Sequence, residues 1–368
     1  MAMGKHEILV IYGGDPAAMA YRLAEEAGLA DLAGSRDTRI GLKPNLVVSR
    51  PAREGATTHP EIAAGLIEYL HRFGFDRIVI LEGSWVGDRT ARAFGVCGYR
   101  RLAEETGVAL VDTQRDRSRP CDCRGMRIDI CDSARAVDFM INLPVLKGHC
   151  QTLLTCALKN HKGILPDFEK RRFHRLGLHK PIAHLNTVAR NDFILVDGIC
   201  GDPDFEEGGS PVYAGRLFAA RDPVLCDAWA AAQMGLDAAA IPYIGLAEEL
   251  GVGTADTGTA VVRELNRAAE GGGAAPAGGT MRQFAAFIRE EGACSACYAA
   301  LVYALSRLDP RERGTIRERI AVGQGFKGKR GNTGTGACCA AFTRHCPGCP
   351  PTGAAVLAFL RDRIRETG

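Results

Sequence analysis

The sequence predicts an α/β protein: a layered, largely parallel or mixed sheet with flanking helices, followed by a small C-terminal cysteine-rich module. Three observations lead there. Short β-branched runs alternate with amphipathic helical stretches through most of the chain. A stretch rich in Gly and Ala, residues 271–279, interrupts that pattern. Beyond it, six of the 14 cysteines crowd into two short clusters.

The elements follow in order. Residues 8–12 read as a strand, 17–27 as a helix and 38–42 as a second strand. Residues 60–73 carry Ile62, Leu66, Ile67 and Leu70, the spacing of one helical face. Residues 77–81 form a strand, 89–105 a helix and 108–111 another strand. Residues 136–143 and 192–196 are further strands, and 222–234 and 239–250 are helices. In such a sheet ligands bind beyond the carboxyl ends of the strands. The expected domains are an α/β domain over 1–270, a Gly-rich linker over 271–280 and a cysteine-rich module over 281–368.

At 368 residues the chain can bury a sizeable core. Its net charge of +3 requires no nucleic-acid partner. The N-terminal apolar run is strand-sized, unlike a signal-peptide core, and no stretch is suited to cross a bilayer. The expectation is a cytoplasmic protein without a nucleic-acid or membrane partner.

In that compartment clustered thiols mean a metal more often than a disulfide. Cys294 and Cys297 sit at the start of an apolar, helical run over 298–308, where backbone N–H groups favour negative charge. Cys338 and Cys339 follow glycines, and Cys346 and Cys349 precede Pro350. Spacing alone leaves an iron–sulfur cluster, a structural zinc and redox thiols open. The basic, glycine-rich residues 323–331 read as a loop beside the second cluster. The other cysteines are scattered and read as ordinary buried or surface residues.

Polar groups recur where strands end: Lys43-Pro44-Asn45, Glu82-Gly83-Ser84, Asn142 through Lys147 and His149, and Asp197-Gly198. Strand ends converge on one crevice in this architecture, so Lys43, Lys147, His149 and Asp197 are candidate catalytic residues. Thr58 and His59 read as a helix cap before Pro60. The densest patch runs from Lys159 and His161 through Asp167 to His174, then His179 and His184. Lys159 and His161 are its candidate catalytic residues, for binding an anion or moving protons.

Lys43-Pro44-Asn45, Thr57-Thr58-His59-Pro60, Asn142 through Lys147, Ala157-Leu158-Lys159-Asn160, Asp197-Gly198-Ile199 and Asp222-Pro223 with Asp227 together resemble the domain-of-unknown-function 362 family. The resemblance covers roughly residues 40–250. The C-terminal part looks like an extension found in one branch of that family. The resemblance implies a [4Fe-4S] cluster on Cys294, Cys297, Cys338 and Cys349, with structural zinc as the alternative. Cys339 and Cys346 depart from the expected pattern, and either could replace its neighbour. The expected function is a cluster-dependent redox enzyme for a small anionic substrate, with a redox partner protein. The alternatives are an electron-transfer or assembly protein without its own substrate, and a non-redox iron–sulfur lyase or isomerase.

Overall fold

The computed structural model describes residues 2–268 and 279–367. The chain divides into two compact units, Met1–Lys170 with His179–Gly278, and Arg171–Leu178 with Gly279–Gly368. The linker expected at 271–280 lies outside the described residues as far as 278.

Among the described residues the first unit holds twelve strands: β1 (Glu7–Tyr12), β2 (Ile40–Pro44), β3 (Ile78–Glu82), β4 (Ala109–Asp112), β5 (Ser118–Cys123), β6 (Met126–Cys131), β7 (Phe139–Leu143), β8 (Lys147–His149), β9 (Leu153–Thr155), β10 (Phe193–Gly201), β11 (Val212–Ala220) and β12 (Val261–Glu264). Eight of them make one sheet in the order β12-β1-β11-β10-β7-β2-β3-β4. All run in one direction except β11, which is antiparallel to both β1 and β10. β2, β3, β7 and β10 are buried along their whole length. Their near-continuous apolar runs are what parallel strands covered on both faces require.

One face is covered by helices Pro16–Ala27 and Pro60–Arg72. Leu23, Leu66, Ile80, Leu195 and Leu217 meet there in a single buried cluster. Asp15 caps the first helix by accepting from Ala17 and Ala18 N–H, and Gly28 ends it in the left-handed region. Gly65 allows the two helices to touch, since a Cβ there would lie 2.1 Å from Ala17 O.

Three sequence expectations change. The helix expected over 89–105 is two, Thr90–Val96 and Tyr99–Thr106, parted by Gly98 at φ 82. β11 and the β5–β6 hairpin escaped the sequence reading. Thr58 is not a helix cap. Its hydroxyl donates to Leu143 O at 2.7 Å and accepts from Asn45 N–H at 2.8 Å, tying the ends of β2 and β7 together. His59 holds the cap position without a side-chain capping bond.

The second unit carries β13 (Ile288–Glu290), β14 (Ile320–Val322), β15 (Thr333–Thr335) and β16 (Arg344–Cys346). They form a parallel sheet in chain order, with helices Ser295–Arg307 and Gly353–Thr367 in the same unit.

Candidate functional site

β2, β3 and β4 fill the sheet outward in one direction, and β7 and β10 fill it in the other. The switch point therefore lies between β2 and β7, where an open α/β sheet forms its ligand crevice. The short helix Ala157–Asn160 sits over it, held by side-chain amides. Asn160 Nδ2 donates to Lys43 O at 3.1 Å and to Asn142 Oδ1 at 2.7 Å. Asn160 Oδ1 accepts from Asn45 Nδ2 at 3.0 Å. These groups are all buried, and such a network persists only when its members satisfy one another.

Lys43 is fully buried and forms an ion pair with Glu82 at the end of β3. Its ammonium also donates to Pro44 O at 2.8 Å. Burial pulls Lys43 below its ordinary value, with Lys170 adding to the fall and Glu82 opposing it. Burial likewise pushes Glu82 up, against the two lysines. Gly163 backs the pair: a Cβ there would lie 2.1 Å from Glu82 Oε1 and 2.7 Å from Lys43 Nζ.

Lys147 uses all three donors, on Asn45 Oδ1 at 3.1 Å, Glu206 O at 2.8 Å and Ala56 O. Burial draws its pKa down to about 7, Glu206 opposing. Three acceptors around one amine favour the ammonium form, so Lys147 acts here as a tie between loops.

Lys159 Nζ lies 2.6 Å from Glu206 Oε2, and His149 Nε2 lies 3.0 Å from the same oxygen. His149 Nδ1 accepts from Gln151 and Thr152 N–H at 3.0 and 3.1 Å, which places its proton on Nε2. Burial holds His149 at about 4, so it is neutral at neutral pH. Burial works against the Glu206 carboxylate, but His149 and Lys159 outweigh it and hold Glu206 well below the usual range. Opposite His149 in the β8–β9 pair, Leu153 has φ 68, a strained conformation for a buried leucine.

His161 Nε2 lies 2.8 Å from Asn191 Oδ1, while its buried Nδ1 has no aligned partner. Burial, with the Lys43 charge adding to it, holds the ring at about 4. It is thus a neutral imidazole. Asp197 accepts from His59 N at 2.9 Å and from Ile199 N at 3.1 Å, and its Oδ2 lies 2.8 Å from His59 Nδ1.

The sequence-predicted residues of the first unit thus cluster around the carboxyl edge, while the rest of the histidine patch disperses. His184 Nδ1 meets Cys123 O at 2.8 Å, and His179 stacks on Tyr243 at 5.8 Å. Sequence reasoning missed Glu206, because it lies in a loop far along the chain from its partners. It named Asp227 only as part of the resemblance and did not join it to Cys156 and Cys226, although the ligand atoms of the three all lie within 4.8 Å of one another in the interior. Asp227 accepts from Ala157 and Leu158 N–H at 2.7 and 3.3 Å, and burial pushes it up to about 7.

In the second unit the cysteines follow the carboxyl ends of parallel strands. Cys294 comes after β13 and caps helix Ser295–Arg307, with Cys297 in its first turn. Gln324, after β14, reaches Cys294 Sγ at 3.7 Å. Cys338 follows β15 and Cys349 follows β16. Gly336 at φ 88 and Gly348 at φ 129 make the turns that deliver them. Cys338 and Cys349 are close enough that the second thiol joins burial in raising the first. Gly336 also lies beside Cys297, whose Sγ would be 3.4 Å from a Cβ there. Cys339 and Cys346 are buried instead. Cys339 packs with Ala321, Phe326 and Phe342. Lys329 of the basic loop pairs with Glu291 at 2.8 Å. Among the described residues no disulfide forms.

The Thylakoid-associated protein sll1697 of Synechocystis sp. is 28% identical over 233 residues, covering 58% of this chain and 68% of that protein. Among solved structures, the lactate racemase apoprotein from Thermoanaerobacterium thermosaccharolyticum is 15% identical with a TM-score of 0.40. That match covers 58% of this chain and 54% of the other, so the chain spans about half of that protein's length. No helix among the described residues is long and apolar enough to cross a membrane. The family described as Domain of unknown function (DUF362) matches residues 40–232, just over half of the 368 residues and the segment that carries β2 through nearly all of helix Pro223–Gln233. The chain is a member of the DUF362 family.

Proposed function

We propose that the protein binds a [4Fe-4S] cluster through Cys294, Cys297, Cys338 and Cys349 and is a redox enzyme acting on a small anionic substrate. One observation carries this reading. The four cysteines all follow the carboxyl ends of parallel strands, whereas Cys339 and Cys346 are buried in the second unit. The donor set fits: thiolates hold such clusters, and glycine-lined turns let backbone N–H groups approach the sulfurs. When bound, a cluster of this type supplies or accepts single electrons.

The first unit's residues support the substrate half of the reading. Lys159 and the neutral His149 meet on one carboxylate oxygen of Glu206, an arrangement that suits an oxyanion. His161 Nδ1 supplies a buried ring nitrogen without an aligned partner, in a neutral imidazole that can accept a proton. Lys43 would hold the charge balance of the edge through Glu82, and Asp197 would orient His59.

A second reading, an electron-transfer or assembly protein without its own substrate, draws on Lys147. All of its donors are spent within the fold.

The test is anaerobic purification followed by iron, acid-labile sulfide and zinc analysis with an absorbance spectrum. About four iron and four sulfide per chain, with a broad band bleached by dithionite, is the expected result. About one zinc per chain without sulfide would overturn it.

A further inference from the structure

Arg216 lies in β11 and is 2% exposed, the largest of the fully buried side chains. Its Nη1 donates to Gln233 Oε1 at 3.0 Å. Its Nε and Nη2 have no hydrogen-bond partner, and among the described residues no carboxylate forms an ion pair with it. A guanidinium stays charged throughout the ordinary pH range, and a buried charge without a partner is costly. Burial lowers its pKa, and the charge and side-chain hydrogen bonding of the neighbouring Tyr12, a weak and half-exposed partner, oppose that.

The unpartnered atoms are not a random pair. Nε and Nη2 form one straight edge of the guanidinium, the fork that takes two oxygens of a carboxylate or phosphate side by side. Aromatic rings and a glycine flank the guanidinium. Arg216 Cζ lies 6.0 Å from the Trp229 ring centroid, and Trp229 is itself held edge-on by Phe218 at 4.9 Å. Across the strand pair stands Gly198, where a Cβ would lie 3.6 Å from Nε. On the other side Arg216 pairs in register with Tyr12, the last residue of β1, whose hydroxyl is engaged by Glu264 at 2.8 Å. β1 and β10 run parallel, so Arg216 stands at the carboxyl edge of the sheet, where this architecture receives ligands.

We infer that the Nε/Nη2 edge of Arg216 binds the oxyanion head of a small carboxylate or phosphate, with Gly198 keeping the approach clear. The inference deepens the proposed function and rests on its reading of the first unit as a binder of small anions. It adds an oxyanion position on β11, outside the lysine and histidine groups described above.

Calorimetric titration and thermal melts of the full chain test it, with acetate, pyruvate and inorganic phosphate as probes and chloride at matched ionic strength as control. Saturable binding and a raised melting temperature are expected with one probe class. Response to acetate and pyruvate assigns a carboxylate, and response to phosphate assigns a phosphate. Arg216→Lys, which loses the fork, should bind roughly ten-fold more weakly. Arg216→Met should not bind, and without ligand it should melt no lower than the parent. Gly198→Ala keeps the charge but sets a methyl 3.2 Å from Arg216 Cγ and 3.6 Å from Nε, and should weaken binding. The inference fails if no probe binds the parent saturably, if Arg216→Met binds equally, or if Gly198→Ala leaves affinity unchanged. It also fails if ligand-free Arg216→Met melts far lower, since the arginine would then be held by the fold itself. Iron and sulfide content is measured on the same samples. A full cluster without oxyanion binding sinks only this inference, and oxyanion binding without a cluster sinks only the redox reading.

Discussion

His59 and Asp197 are joined twice: one carboxylate oxygen lies 2.8 Å from the imidazole Nδ1 and takes the His59 backbone N–H at 2.9 Å. A fully buried carboxylate thus fixes both the ring and the backbone at the start of helix Pro60–Arg72. Burial disfavours the charged ring, but the charge and hydrogen bond of Asp197, with Glu61, outweigh it and raise His59. A raised histidine stabilises the fold fully below its unfolded value of about 6.5 and loses that contribution as pH rises through the folded value. Urea unfolding at about pH 6 and about pH 9 should show a loss over this window about 1 kcal/mol larger in the parent than in His59→Gln. An equal pH slope in both proteins would contradict the pairing.

Glu206 is the counter-charge for Lys159. Glu206→Gln leaves the buried ammonium without its partner and should cost about 3 kcal/mol in urea unfolding at neutral pH. Adding Lys159→Met should recover most of that loss, because His149 is neutral and strands no second charge. A double variant as unstable as the single one would refute the pairing. The depressed Glu206 contributes stability above the ordinary glutamate range. That contribution disappears only as pH falls through its lowered folded value, so the parent should lose more stability in acid than Glu206→Gln does.

Gly163 is a steric support for the Lys43–Glu82 pair. Gly163→Ala drives a methyl into Glu82 and Lys43 and should cost about 2 kcal/mol or more, with Ser tolerated no better. Thermal melting checks this, and an unchanged melting temperature would show that the pair relocates freely.

The sheet was legible in the sequence wherever a strand is buried on both faces. The runs ending at Leu81 and Val196 are apolar, the one ending at Leu143 is interrupted near its end only by Asn142, and all three gave strands. β11 was not legible because Arg216 and Gly215 interrupt its apolar run. The paired Cys121 to Cys123 segment was hidden by Pro120 and Asp122. Unit-two strands of three residues are too short for any period to register. The candidate site was half legible. Strand-end lysines announce themselves beside prolines and asparagines, but their partners do not. Glu82 ends a different strand and Glu206 lies in a distant loop, and only the fold brings them to Lys43 and Lys159. Thr58 illustrates the opposite error: its place before Pro60 signals a cap, yet its hydroxyl is spent bridging two strands.

The two pairs of neighbouring cysteines divide by burial, with Cys339 and Cys346 buried and Cys338 and Cys349 more open. Cys339 is fully buried against Phe326 and Phe342, so Cys339→Ser should cost about 1–2 kcal/mol through packing while leaving the metal content intact.

The most direct measurement is therefore iron and sulfide per chain in four anaerobically purified single variants: Cys338→Ser, Cys349→Ser, Cys339→Ser and Cys346→Ser. The first two should lose the cluster and the last two should retain about four iron and four sulfide. Loss in Cys339→Ser or Cys346→Ser with retention in its neighbour would contradict this division and reassign the ligand.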